Sequence, residues 1–148
     1  MAEIILRPLV SRDRIQWEPL WQAYLEFYET EVSAEVCDTA FQRLTSSEAS
    51  EFQGIVAERD GQLIGIAHFL VHRFLWTIED TAYLMDLFVH PDGRGKGVAR
   101  RLIEACHAAA KASGAPTLYW MTQDSNQKAR RLYDSLATQT DFLVYEKQ

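Results

Sequence analysis

The sequence predicts an α/β (α+β) chain: a mixed central sheet of six or seven strands flanked by about four helices. Three observations carry this reading. Residues 81–122 run strand, helix, strand, which demands a right-handed crossover between parallel strands. Asp60-Gly61 stands between two strand-like runs and signals a tight hairpin, hence antiparallel pairing. The chain has 148 residues, 47% of them hydrophobic, enough for one core, and it shows no repeat, low-complexity tract or linker. Residues 1–148 are therefore expected to form a single domain.

The elements follow in order. EIILRPL (3–9) reads as a strand closed by Pro8. A helix comes next with Pro19 in its first turn, where a missing N–H costs nothing. On that helix Trp17, Leu20, Trp21, Tyr24 and Tyr28 recur at three- and four-residue spacings as one aromatic stripe. A second helix covers roughly Ala34 to Leu44, and SSEAS after it is a loop. FQGIVAER (52–59) and LIGIAHFLVHRF (63–74) are the two arms of the hairpin. TAYLMDLFV (81–89) is apolar or aromatic almost throughout around Asp86, the pattern of a central strand buried on both faces. From Val98 the apolar residues fall at 98, 102, 105, 106 and 109, a helical period, and Gly114 and Pro116 stop that helix. TLYWMT (117–122) is a strand. Asp124 or Ser125 can cap a helix from about Asn126 to Leu136, and DFLVYEK (141–147) reads as a final strand.

Composition narrows the function. No apolar run is long enough to span a bilayer, and the acidic MAEIILRPLV start lacks a signal-peptide cleavage site. Only Cys37 and Cys106 occur, too few for a disulfide framework and not spaced as a zinc pair, so a reducing cytoplasm is expected. His68 and His72 share one face of a strand, but no carboxylate or thiol stands nearby at ligand spacing, and a metal is not expected. His90 and His107 read as surface residues. The net charge is −6, unevenly spread. Residues 1–93 hold 6 Lys/Arg against 16 Asp/Glu, whereas residues 94–131 hold 8 against 2. A basic segment on an acidic chain points to a local anion site and a cationic second partner, not to a nucleic-acid surface.

That basic segment is VHPDGRGKGVARRLIEAC, from Val89 to Cys106, with glycines at 93, 95 and 97. It fits neither G-x-x-x-x-G-K-[ST] nor G-x-G-x-x-G in any register, which excludes a P-loop and a dinucleotide fingerprint. Glycines let the backbone approach a ligand closely, the first N–H groups of a helix lack internal partners, and its dipole is positive there. With Arg94, Lys96, Arg100 and Arg101 this makes a phosphate site suited to a pyrophosphate. The ordinary alternative is a strand-to-helix turn with solvated basic residues.

Here the residues carry a resemblance. V-H-P-D-G-R-G-K-G-V-A resembles the coenzyme A loop of the GNAT superfamily of N-acetyltransferases, whose Arg/Gln-x-x-Gly-x-Gly/Ala core reads Arg94-Gly95-Lys96-Gly97-Val98-Ala99. The downstream family segment N-x-x-A-x-x-L-Y is present as Asn126, Ala129, Leu132 and Tyr133, on the next helix. One departure is Asp141-Phe142, where relatives often have Gly-Phe. The resemblance implies that the fourth and fifth strands are parallel and splay apart, with coenzyme A in the V between them. It implies that the N–H groups of Arg94, Gly95, Lys96, Gly97, Val98 and Ala99 hold the pyrophosphate. It further places the pantetheine arm along the backbone of Leu87, Phe88 and Val89, and near Asn126.

Acetyl transfer to an amine needs a proton donor for the departing thiolate and an acceptor for the amine proton. The resemblance assigns the first to Tyr133, whose phenol, at a pKa near ~10, is close enough to a thiol at ~8.5 to protonate it. The ordinary alternative is a ring packed on the helix face. Relatives often supply the acceptor from a glutamate on the fourth strand; Met85 stands at that point here, and Asp86 is the nearest substitute. An aspartate in a near-apolar strand is costly unless paired, so a role on the amine stands beside a purely structural hydrogen bond to a neighbouring loop. Tyr24, Tyr28 and Glu29, at the acidic end of the aromatic stripe, are candidates for binding a cationic acceptor. Trp17, Leu20 and Trp21 read as core.

The expected protein is an acetyl-CoA-dependent N-acetyltransferase of small primary amines, such as polyamines, diamines or basic amino acids. A lysine or N-terminal acetyltransferase of proteins, and a non-catalytic acyl-CoA-binding module, are the alternatives. Exposed aromatic surface would permit a homodimer.

Overall fold

The computed structural model describes residues 2–148. Five strands form one sheet in the order β1-β2-β3-β4-β5: Ile4–Pro8, Gln53–Arg59, Gln62–His72, Thr81–Val89 and Thr117–Tyr119. The first three pairings are antiparallel and β4–β5 is parallel, so the sheet is mixed as expected. Helices α1 (Arg14–Phe27) and α2 (Ala34–Leu44) pack on one face; α3 (Val98–Ala112) and α4 (Gln127–Leu136) lie on the other.

Strand alternation decides which core each residue joins. Ile55 and Ala57 turn toward α3, with Ile64, Ala67, Phe69, Leu102 and Cys106. Val56 turns the other way, with Ile66, Trp17, Leu20, Cys37 and Phe41. A Cβ on Gly65 would stand 3.0 Å from Leu102 Cδ1, so the missing side chain is what lets α3 lie close on β3. The hairpin turns at Asp60 and Gly61, both with positive φ, the conformation a two-residue turn between twisted strands requires.

The helix boundaries come from local chemistry. Ser33 Oγ accepts the Val36 N–H at 3.2 Å and caps α2. Ahead of α1 a single 3-10 turn over Ser11–Asp13 holds the chain through Asp13. That carboxylate takes two hydrogen bonds from Arg7, both 2.8 Å, and one from the Val10 N–H. The Arg7 guanidinium holds its pKa below the usual carboxylate range. This anchor starts α1 at Arg14, earlier than expected, so Pro19 falls inside the helix and not in its first turn. It removes the hydrogen bond to the Ile15 carbonyl; Ile15 is 84% exposed, and water can take that oxygen.

Two further expectations are corrected. The sheet has five strands, not six or seven, because 141–147 is no strand. A strand needs a hydrogen-bonding neighbour, and the chain leaves α4 extended at Ala137 without returning to β5. Phe142, Leu143, Val144 and Tyr145 are consequently exposed. The α4 cap is Asn126, whose Oδ1 accepts the Ala129 N–H at 3.3 Å, and not Asp124 or Ser125.

Candidate active site

The site begins with an irregularity in β4. His68 pairs with Asp86 and Phe69 with Leu84, so Met85 has no partner across β3: β4 carries a β-bulge. A bulge bends its strand and re-aims the neighbouring side chains. The β4–β5 ladder joins Thr81–Tyr83 to Thr117–Tyr119 and stops there. From Leu84 to Val89, β4 therefore has no partner on that side. Burial on both faces also fails here, since Met85 is exposed. The resulting cleft encloses about 30 Å³ and is lined by Tyr24, Tyr28, Asp86, Leu87, Trp120 and Tyr133, among others. A second cavity of about 190 Å³ lies on the α1–α2 side, walled by Trp17, Trp21, Leu44 and Phe52, with Arg43 at its edge. Asp86 and Met85 border both.

Asp86 is paired, as an aspartate in an apolar strand must be. Its Oδ2 lies 2.9 Å from Nδ1 of His68, a ring only 3% exposed. The partner is on the adjacent strand, not in a loop. On the far side of the ring, Trp17 Nε1 lies 3.0 Å from His68 Nε2. An indole N–H can only donate, so Nε2 accepts and the ring hydrogen sits on Nδ1, donating to Asp86. Trp17 is fully buried core, as its spacing implied, and its N–H also sets this tautomer. The sequence reading missed His68. Its one signal was a histidine inside an apolar run, and linking it to Asp86 requires the register across the bulge.

The aromatic stripe leads from this hydrogen-bonded trio to the cleft. Trp17 stacks on Trp21 at 5.6 Å, Trp21 on Tyr24 at 5.5 Å, and Tyr24 meets Tyr28 edge-on at 5.2 Å. Burial, and next the negative charge of Asp86, push the Tyr24 phenol upward, so it stays protonated. Glu29, two residues beyond the end of α1, has φ 55° and lines neither cavity.

Tyr133 enters the cleft from α4, its ring edge-on to Trp120 at 5.4 Å. Its phenol has no hydrogen-bond partner among the described residues. Half-burial, and then the nearby Tyr28, raise its pKa above the ordinary phenol value. Asn126, seven residues before it, spends its Oδ1 on the cap.

At the other end of the unpaired β4 edge lies the glycine turn. Gly95 (φ 78°) and Gly97 (φ 72°) are left-handed, a conformation that L side chains resist. A Cβ on either would meet nothing within 4 Å, so both border open space. Gly93 differs: its Cβ would press on Ile64 at 3.3 Å, so it packs the turn against β3. Gly97 precedes α3 with no side-chain cap. The N–H groups of Gly95 through Arg100 have no acceptor among the described residues. They form an uncapped helix start of the kind that binds anions. Three of the four basic side chains are partly committed. Arg94 Nε donates to the Val89 carbonyl at 3.0 Å, Arg100 to Ser135 at 2.8 Å and Arg101 to the Ile4 carbonyl at 3.0 Å. Lys96 is exposed beside the turn.

The structure thus brings Asp86, Leu87, Tyr24, Tyr28 and Tyr133 to one cleft, and sets the glycine turn at the end of the strand that forms its wall. Among the described residues there is no cluster of three or more His, Cys, Asp or Glu side chains placed to hold a metal ion.

Known proteins share this fold. A model of the acetyltransferase (GNAT) family matches residues 17–137. The chain is 33% identical over 145 residues to the D-amino-acid N-acetyltransferase HPA3 of Saccharomyces cerevisiae, spanning 97% of this chain and 90% of that protein. Among solved structures, an aminoglycoside N-acetyltransferase AAC(6')-Iy in complex with CoA has a TM-score of 0.83 at 18% identity, covering 100% of this chain and 96% of that one. A ribosomal-protein-alanine N-acetyltransferase from Brucella melitensis biovar Abortus 2308 has a TM-score of 0.79 at 23% identity, covering 99% of each. These two likenesses establish the fold; the family match and the 33% relative establish the chemistry. With the glycine turn, the bulged fourth strand and the α4 tyrosine in place, the chain belongs to the GNAT family and is an acyl-CoA-dependent N-acetyltransferase.

Proposed function

We propose that the chain, acting as one domain, acetylates the primary amine of a small amino acid, with acetyl-CoA as donor. The observation that carries this is the placement of Asp86 on the border between the two cavities, with Tyr133 on the far wall of the cleft. The donor's fit rests on the free N–H groups of Gly95 to Arg100 and on the open space at Gly95 and Gly97, where a pyrophosphate would lie. Leu87, Phe88 and Val89 offer an unpaired strand edge for the pantetheine amides. When bound, acetyl-CoA supplies an activated thioester carbonyl beside that edge.

The remaining work belongs to the chain's own groups. The Asp86 carboxylate, held by His68 Nδ1–H, accepts the amine proton. The Tyr133 hydroxyl, protonated because burial keeps its pKa high, gives a proton to the leaving sulfur. Tyr24 and Tyr28 shape the entrance between them.

The larger cavity favours amino acids over diamines within the class of small amines. Its walls are aromatic and aliphatic, Asp86 is its only lining carboxylate among the described residues, and Arg43 is its only lining cation. A diamine or polyamine would want a second carboxylate for its far ammonium. An amino acid would set its amine at Asp86 and its carboxylate toward Arg43, with an apolar side chain in a space larger than the ~150 Å³ that holds benzene. The relative that acetylates D-amino acids supports the same class.

Release of CoA from acetyl-CoA, measured against both enantiomers of apolar and basic amino acids, diamines, aminoglycosides and lysine peptides, tests this. Fastest turnover with apolar amino acids is expected. Preference for peptides would shift the reading to a protein acetyltransferase, and no turnover with any amine would leave a binding module.

A further inference from the structure

The edge of β4 that faces the cleft is not wholly free. In an antiparallel pair the backbone groups of successive residues point to opposite sides. The His90 N–H reaches across to the Ile64 carbonyl at 2.8 Å, so His90 faces β3 and Val89, one residue earlier, faces away from it. The β4–β5 ladder ends at Tyr83 and Tyr119, so no strand meets Val89 on that side. What meets it is a side chain. Arg94 Nε donates to the Val89 carbonyl at 3.0 Å, and the guanidinium carbon lies 5.7 Å from the centre of the Phe88 ring. The local backbone explains this reach. Pro91–Gly93 forms one 3-10 turn, closed by the Arg94 N–H on the Pro91 carbonyl at 3.2 Å. That turn brings Arg94 back beside the end of the strand it follows. Arg94 pairs with no carboxylate among the described residues, so the strand edge and the aromatic face are what hold it.

We propose that the Arg94 side chain guards the open end of the β4 edge and so makes the protein reject thioester donors that lack a diphosphate. This rests on the donor reading above, in which the pantetheine amides pair with Leu87–Val89 and the diphosphate lies at the glycine turn. An arm that pairs with Val89 needs its carbonyl, and the guanidinium occupies the approach to it. Displacing Arg94 forfeits that hydrogen bond and the contact with the Phe88 ring. A ligand with a diphosphate replaces both. The free N–H groups of the turn begin one residue after Arg94, and a guanidinium pairs with phosphate through two parallel hydrogen bonds. A thioester of pantetheine alone replaces neither. Selection of this kind works by an obstacle that only the right ligand removes. Lys96 supplies the comparison. It lies exposed in the same turn with the same charge, and it makes no contact with the strand edge.

Binding of CoA and of pantetheine to the full chain separates the two roles of Arg94, with no acceptor needed. Calorimetry reads CoA; the amide shifts of Leu87 and Val89 read pantetheine, whose binding is weak. Arg94→Met should bind CoA about tenfold more weakly, through loss of a charge-assisted phosphate contact. The same variant should bind pantetheine about threefold more tightly, through loss of the guard. Lys96→Met removes the same charge and leaves the edge covered, so it should weaken CoA and leave pantetheine unchanged. Circular dichroism checks that both variants fold. The proposal needs the two opposite changes together in Arg94→Met. Pantetheine affinity that fails to rise there, or amides of Leu87 and Val89 that pantetheine never shifts, overturns it. So does CoA affinity that stays at the wild-type value. An equal gain in pantetheine affinity in Lys96→Met would assign the effect to net charge and overturn it as well. Wild-type protein that binds no CoA would instead remove the donor reading itself.

Discussion

In the proposed mechanism Tyr133 and His68 carry most of the chemistry, and they differ in how they can be tested. Tyr133 has a free hydroxyl in the cleft and no structural hydrogen bond to lose. Tyr133→Phe should therefore lower kcat by about 10²-fold, the usual worth of a positioned acid, and leave the Kd for acetyl-CoA within about twofold by calorimetry. Undiminished kcat would remove the residue from the mechanism. Burial raises this phenol's pKa, so the acid form persists above the ordinary phenol value. The alkaline fall in kcat due to this group should then be centred above the ordinary phenol value of ~10, and a fall centred near neutrality would require another acid. His68 touches no proposed reacting atom; it positions Asp86. His68→Leu removes one hydrogen bond to a carboxylate, worth about 1.5–3 kcal/mol, and should cost roughly 10–100-fold in kcat. The KM for acetyl-CoA should be unchanged, because the ring lines only the larger cavity, the one proposed for the acceptor. A loss of acetyl-CoA affinity instead would mark a general collapse of the sheet.

At the scale of elements, what could be read from the sequence and what could not separate by physical cause. Helix α2 and strand β4 lie where the sequence pattern placed them, since each is a continuous periodic or apolar run with its own local ends. The glycine turn was legible because left-handed positions such as 95 and 97 strongly favour glycine. The start of α1 was not: it depends on Arg7, six residues upstream, closing on Asp13. The His68–Asp86 pair was hidden for a related reason. It needs the β3–β4 register, and the bulge at Met85 shifts that register by one residue. The glycine turn also yields the prediction at this scale. Gly97→Val forces a β-branched residue to φ 72°, at a cost of about 1–3 kcal/mol in stability. The fold has room for the side chain, but the proposed pyrophosphate does not. Acetyl-CoA affinity should fall at least tenfold by calorimetry while helical circular dichroism persists; wild-type affinity would place the diphosphate elsewhere.

For the whole molecule, two cores share one sheet, and each encloses one of the two cysteines. Cys106 lies at the centre of the α3 side, fully buried, and burial pushes its thiol up to about 12. An unfolded thiol ionises near ~8.5, so above that pH the unfolded state gives up a proton that the folded state keeps. Stability from this group is complete below pH ~8.5 and is lost as pH rises toward 12. Thermal melts from pH 7 to 11 should show Tm falling with pH, and Cys106→Ala or Cys106→Val should flatten part of that fall. An unaltered slope in both variants would assign the effect to the tyrosines.

On the proposed reading, the four indoles give each half of the catalytic cycle its own optical reporter. Trp21 lines the larger cavity, proposed for the acceptor, Trp120 stands against Tyr133 on the side proposed for the donor, Trp17 is sealed in the core and Trp76 faces water. An acceptor and a donor should therefore perturb different emitters. Single-tryptophan variants retaining only Trp21 or only Trp120 would allow the order of substrate arrival to be followed by intrinsic fluorescence, without any attached dye.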